Sequence, residues 1–233
     1  MAEAIAAADQ RKAARQAEKR ERILTAARHV LRESGAAGLT VTAVARAAHL
    51  SPPAIYYWFD DMQALTETLA EEMFSDAMRG MVVAVARAEN GLDALEAMMR
   101  AMTQHYAAHP DAFQILYGNA ANTGVGDAFL QRVVYPRTWR LNSALEALLL
   151  GDKASGDLHP VIVPRTLVDV AWCTTLGILT QHTTTARLDT APRNTVEALL
   201  DAAVAHLRRG AAAPKPAAPT PAAPTPMAPT PTA

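Results

Sequence analysis

Apolar residues at Ile23, Leu24, Ala27, Val30 and Leu31 recur at i, i+1, i+4, i+7 and i+8, the spacing of one stripe along a helix. Gly35 follows directly, where a left-handed C-cap favours a residue without a Cβ, and Gly38 loosens the same connection. The first helix is therefore expected to stop near Ser34. Thr40 stands where an N-cap is needed for a short second helix with Val41, Val44, Ala45 and Ala48 inward. Ala43 denies that helix the Glu half of a capping box. His49 to Ser51 read as a turn, Ser51 as a second N-cap, and Pro52 falls at a first helical position, where its missing N–H costs nothing. Ile55 and Phe59 then face inward, which leaves Pro53, Ala54, Tyr56, Tyr57 and Trp58 spread over the outer faces.

Beyond this stretch the helical period continues. Leu65, Leu69, Met73 and Ala77 set a fourth helix running to about Glu89, where Asn90 and Gly91 break it. Leu92, Leu95, Met98, Met99, Met102 and Tyr106 build a fifth, ended by Pro110, and Phe113, Leu116 and Tyr117 a short sixth. A seventh is expected over about Gly126 to Leu150, bent near Pro136, which cannot donate an N–H. Gly151 to Pro160 reads as a loop, followed by helices over roughly Val163 to Ala186 and Pro192 to Arg209. The fold expected is all-α.

Of the 233 residues, 50% are apolar and 19% charged, ample for a core, and the segment from Ala211 on is an Ala/Pro/Thr near-repeat that cannot build one. Four segments follow: an arm of mixed charge at 1–17, expected to be flexible, a reading head at 18–65, a larger helical domain at 66–209 and a disordered tail at 210–233. No secretory signal or membrane span is indicated, and the single Cys173 suits a reducing compartment, so a cytoplasmic protein is expected. Residues 1–65 carry a formal charge of +2 and residues 66–210 one of −4, with Arg11, Lys12, Arg15, Lys19, Arg20 and Arg22 clustered near the start. Such a cluster either follows DNA phosphates or is a solvated extension of the first helix.

Two short helices joined by a tight turn behind a longer one is the helix-turn-helix plan, whose second helix enters the major groove. Residues 35–65, GAAGLTVTAVARAAHLSPPAIYYWFDDMQAL, resemble the N-terminal domain of the tetracycline-repressor-type (TetR) family of bacterial transcription regulators, with Thr40, Val41, Val44, Ala45, Tyr56 and Phe59 in step. From the residues themselves, Thr40, Thr42 and Ser51 are candidates for phosphate contacts, Pro52, Pro53 and Ala54 for thymine methyls, and Tyr56, Tyr57 and Trp58 for phosphate or base edges, with packing as the alternative for Tyr57 and Trp58. The resemblance implies that Tyr56 touches the DNA backbone. The chain departs from the family where a Lys is usual three residues after the Phe: Met62 stands there, behind Asp60 and Asp61, and His49 replaces a Gly in the turn.

The resemblance further implies a homodimer formed through the last two helices, a small-molecule effector held by the larger domain, and a double-stranded DNA operator. Thr174, Thr175, Gly177 and the face around Ala202, Ala203 and Ala205 suit close helix approach. Candidate ligand contacts are Met98, Met102, Tyr106, Phe113, Tyr117, Phe129, Trp139, Trp172 and Gln181, a set that favours a largely apolar ligand. His105 and His109 stand at i, i+4, without a third metal ligand at convincing spacing. No cofactor or metal is expected. Hydrolase, nucleotide-binding and metalloprotease signatures are missing, so the chain is read as a non-enzyme. The rival to a dimeric repressor is a helical ligand-binding protein with weakened or lost DNA binding.

Overall fold

The computed structural model describes residues 1–118, 125–188 and 192–213, without the side chains of 2–9 and 187. The described residues hold helices and one isolated antiparallel bridge, Leu158 to Ala212. In chain order the helices are α1 (Ala2–Gly38), α2 (Val41–Ala47), α3 (Pro52–Tyr56), α4 (Met62–Ala86), α5 (Gly91–Ala108) and α6 (Pro110–Tyr117). There follow α7 (Asp127–Phe129), α8 (Tyr135–Ser155), α9 (Pro164–Arg187) and α10 (Val196–Ala211). Residues 214–233, where most of the expected tail falls, lie outside the described residues.

The head forms as its caps dictate. Gly35 takes φ 66°, kinking α1 where the sequence places its end, and one more turn carries the helix to Gly38. Thr40 Oγ1 accepts the Ala43 N–H at 3.2 Å, pairing one of the first-turn amides of α2 that has no helical acceptor. His49 adopts φ 55°, the left-handed turn conformation that glycine takes without cost and a side chain does not. Ile23, Leu24, Ala27, Val44, Ala45, Ile55 and Phe59 close into one core beneath α2 and α3. Residues 2–17 are a helical continuation of α1, exposed over 10–17.

In the larger domain α10 starts at Val196, behind the Thr195 cap, rather than at Pro192, and two further boundaries differ from expectation. The expected bend at Pro136 is a π-helical turn, Leu130–Val134, joining α7 to α8. There the Tyr135 N–H donates to the Leu130 carbonyl, five residues back, which accommodates the donor missing at Pro136 without a sharp break. The second difference lies at residues 151–155, expected as loop but forming the last turn of α8, ended by Gly156 at φ 86°. Asp152 explains it: buried, it accepts the Gly91 N–H at 3.0 Å and the Leu92 N–H at 2.9 Å, and so caps α5 from across the domain. Gly91 is required there, because a Cβ would stand 2.6 Å from the Leu149 backbone nitrogen.

The last helix is tied to α5 by a fork: Arg208 reaches Asp93 and Glu96, each at 2.7 Å, and Arg100 reaches Asp201 at 2.7 Å. It runs past Arg209 to Ala211, where the His159 N–H donates to the Ala211 carbonyl at 2.7 Å.

Candidate nucleic-acid interface

Pro52 and Pro53 open α3 at positions whose N–H groups need no helical partner, and Ile55 and Phe59 anchor the segment beneath. Tyr56 and Tyr57 are left 54% and 74% exposed, and Ser51, Pro52, Pro53, Thr40 and Thr42 are exposed beside them. Ala54 and Trp58 are half-buried. Ser51 precedes α3 but its hydroxyl makes no cap bond, which leaves it available to a phosphate oxygen. Trp58 packs against the head core and meets the Tyr57 ring edge to face, centroids 5.1 Å apart. Packing and presentation are therefore divided between neighbours, Trp58 leaning inward and Tyr57 outward.

The extension of α1 completes this face. Arg11, Lys12, Arg15 and Lys19 fall on one side of the helix, and with Gln16, Tyr57 and Trp58 they border an open cleft of about 550 Å³. Arg20, grouped with them in sequence, behaves differently: its guanidinium lies 5.2 Å above the Phe59 ring and donates to Thr68 Oγ1 at 3.4 Å. Arg46, exposed in the last turn of α2, was not singled out in the sequence, although a basic residue at a short helix's C-terminus is the signal that would have found it. Asp61 is spent locally, its carboxylate accepting the Ala64 N–H at 2.7 Å as the N-cap of α4. Asp60 remains exposed, and Met62 is half-buried against the core.

From this head α4 runs into the larger domain, gripped on both sides. Arg28 pairs with Glu72, joining α1 to α4, and burial pushes the Glu72 carboxyl above its ordinary value against the opposing pull of Arg28. On the other side Arg137 of α8 donates to Glu71 at 2.9 Å and Ser75 at 2.8 Å, and Arg132 lies 3.8 Å from Glu67.

Of the expected ligand contacts, Met98, Met102, Tyr106, Phe113 and Phe129 are fully buried. Tyr106, Phe113 and Tyr117 form a ring cluster with centroids 5.3 to 5.7 Å apart. The hydroxyls of Tyr106 and Tyr117 are buried with no partner beyond each other, and burial raises both above the ordinary tyrosine value, Tyr117 to about 12. Trp172 is half-buried. Trp139 and Gln181 do not join the set: Trp139 is 64% exposed on the outer face of α8, and Gln181 is exposed on α9. Thr175 is likewise withdrawn from the expected helix-contact face, since it is fully buried and donates to the Ala171 carbonyl. Among the described residues no group of three His, Cys, Asp or Glu side chains gathers in a metal-binding arrangement, and no helix is long and apolar enough to cross a membrane.

Residues 23–69 match the family described as bacterial regulatory proteins, tetR family. No curated protein matches the chain in sequence. Among solved structures, a protein of unknown function from Rhodococcus sp. RHA1 is similar over 83% of this chain and 95% of its own, at 25% identity and TM-score 0.65. A TetR family transcription regulator from Marinobacter aquaeolei VT8 covers 86% and 98%, at 16% identity and TM-score 0.60. The regulator FadR of Bacillus subtilis, in complex with stearoyl-CoA, covers 82% and 98%, at 16% identity and TM-score 0.63. Residues 23–69 are thus similar to the N-terminal domain of the tetR family of bacterial regulatory proteins, and the helical architecture behind them is the fold these solved structures share.

Proposed function

We propose that the protein is a homodimeric repressor that binds a palindromic operator through α3 and is released by a largely apolar small molecule. The observation that carries this reading is the exposure of Tyr56 and Tyr57 on a proline-started helix, flanked by the basic cleft of α1. Ser51, Thr40 and Thr42 supply phosphate contacts that set register, while Pro52, Pro53, Ala54 and the tyrosines meet base edges and methyl groups. Arg11, Lys12, Arg15 and Lys19 extend the contact to flanking phosphates, and Trp58 braces Tyr57.

One helix-turn-helix covers too short a site for useful affinity, so the operator is read by two copies. Thr166, Val170, Cys173, Gly177, Thr180 and Thr184 form an exposed stripe of small residues along α9. A Cβ at Gly177 would meet nothing within 4 Å, so the subunit itself does not require a glycine there. Close approach of a second α9 accounts for it. Ligand binding is coupled to DNA through α4, clamped to α1 by Glu72 and to α8 by Glu71 and Ser75. Ligand and operator therefore weaken each other by the same factor.

The test is a gel shift on the DNA upstream of the protein's own gene, titrated with salt. A complex at nanomolar to micromolar protein that weakens steeply as salt rises supports the reading. An unshifted fragment at low salt overturns it and favours a helical ligand-binding protein without DNA binding, the reading favoured by Asp60 and Met62 beside α3. Sedimentation of Gly177→Glu should give a folded monomer in place of a dimer.

A further inference from the structure

A groove of about 1050 Å³ runs between α4 and α8, with no residue of the tyrosine cluster in its lining. That volume is at the upper end of the roughly 300–1,000 Å³ typical of small-molecule sites. Its chemistry is sorted along its length. The contact of Arg137 with Ser75 at one end, and of Asp152 with Gly91 just beyond α4 at the other, sets the two helices parallel, so Ser75, Arg79, Arg137 and Arg140 fall at one end. Val82, Val85, Ala144 and Leu148 fall toward the other, with Met78 and Leu141 between them. Val82 and Leu148 are exposed despite being apolar, an arrangement a buried chain would repair. Arg79 is paired with Asp76 and Arg137 with Glu71, whereas Arg140 has no carboxylate partner among the described residues.

We infer that this groove holds a single-chain amphiphile with an anionic head, its acyl chain lying between α4 and α8 and its head at Arg140 and Arg137. An apolar trough alone fits any hydrophobe; the guanidinium of Arg140, without a carboxylate partner among the described residues and beside Arg137, selects a negative charge at one end, since Arg presents a planar fork matched to carboxylate or phosphate. Length agrees. At about 1.5 Å per helical residue, Ser75 to Ala86 spans roughly 17 Å. An extended chain advances about 1.2 Å per bond, which corresponds to roughly 14 bonds, a long-chain fatty carboxylate. The occupant enters where α4 is clamped: its head competes with Glu71 and Ser75 for Arg137, and its chain separates α8 from the helix that carries Glu72 and the head. The regulatory role rests on the repressor reading, while binding to the groove does not.

Palmitate below its micellar concentration, added to the full chain and followed by titration calorimetry, tests the site. Saturable binding is expected, at least tenfold weaker for uncharged hexadecanol and for cationic hexadecylamine. Arg140→Gln should weaken palmitate about tenfold and leave hexadecanol unchanged. Ala144→Trp, at an exposed position on the groove wall, should abolish binding with circular dichroism unaltered, while Ala144→Ser binds as the parent does. Equal affinity for the three probes, undiminished binding in Ala144→Trp, or a change of oligomeric state in that variant would overturn the inference; the last would make the groove a contact between copies. Palmitate that binds through Arg140 yet leaves an operator complex intact would uphold the groove and refute its coupling to DNA.

Discussion

In the head, the cap at Thr40 and the ring contact of Tyr57 with Trp58 are each made with a neighbour no more than a turn away, within one short stretch of chain. In the body, Arg137 meets Ser75 across 62 residues and Asp152 holds Gly91 across 61. The head is a local device whose presented face is decided by caps, prolines and a short apolar period. The body is a long-range device, in which the polar groups that matter meet only after several helices have packed. One consequence is that damage to the head should be felt in DNA binding and spare the fold, whereas damage to the body's polar links should be felt in stability first.

The largest effect is expected at Asp152. Replacing it with Ala leaves two amides at the start of α5 without an acceptor in a buried site, at about 3 kcal/mol. Urea unfolding should register that loss, and an unchanged midpoint would make the cap incidental and the body no more long-range than the head. Next come Tyr56→Ala and Tyr57→Ala, each expected to weaken the operator complex by about 1–2 kcal/mol while melting stays within ~0.5 kcal/mol of the parent. Equal losses of stability and binding would erase the contrast, because the rings would then be part of the head's core.

A smaller change sharpens the contrast within the head itself. His49 carries a side chain at φ 55°, so His49→Gly should stabilise the protein by up to about 1 kcal/mol, read as a raised urea midpoint. A loss instead would mean that the imidazole makes a contact outweighing its backbone strain. The smallest effect belongs to His105 in the body, half-buried and with its ring centroid 4.9 Å from that of His109. Burial first, and the neighbouring His109 second, hold its pKa below the ordinary 6.5. The unfolded chain therefore binds the proton more readily. The stability this provides is present above pH 6.5 and is lost as pH falls through the lower folded value. His105→Gln should flatten the slope of melting temperature against pH in that window.

These same differences explain what could be read from the chain. Gly35, Thr40, Pro52 and the outward tyrosines announced themselves because capping and steric rules act over three or four residues. The helices of the body were legible from their period, as was the interior of Met98, Met102, Tyr106 and Phe113. The extent of α8 was not, since Gly151 reads as a breaker and the pairing of Asp152 with the distant amides of Gly91 and Leu92 has no local signal. Trp139 misled for a related reason: a large aromatic on an amphipathic helix reads as interior, yet the face it occupies is decided by where α5 and α9 dock. The groove arginines carried no local signal, being spread over two helices and ordered by tertiary register.

The cap on α5 also imposes a timetable on the newborn chain. Asn90 caps α5 locally through the Asp93 N–H, but the amides of Gly91 and Leu92 meet their acceptor only when Asp152 has left the ribosome, some sixty residues or about 3–12 s later at typical translation rates. The bridge from Leu158 to Ala212 closes later still. A nascent molecule thus completes its helix-turn-helix before the body behind it can close.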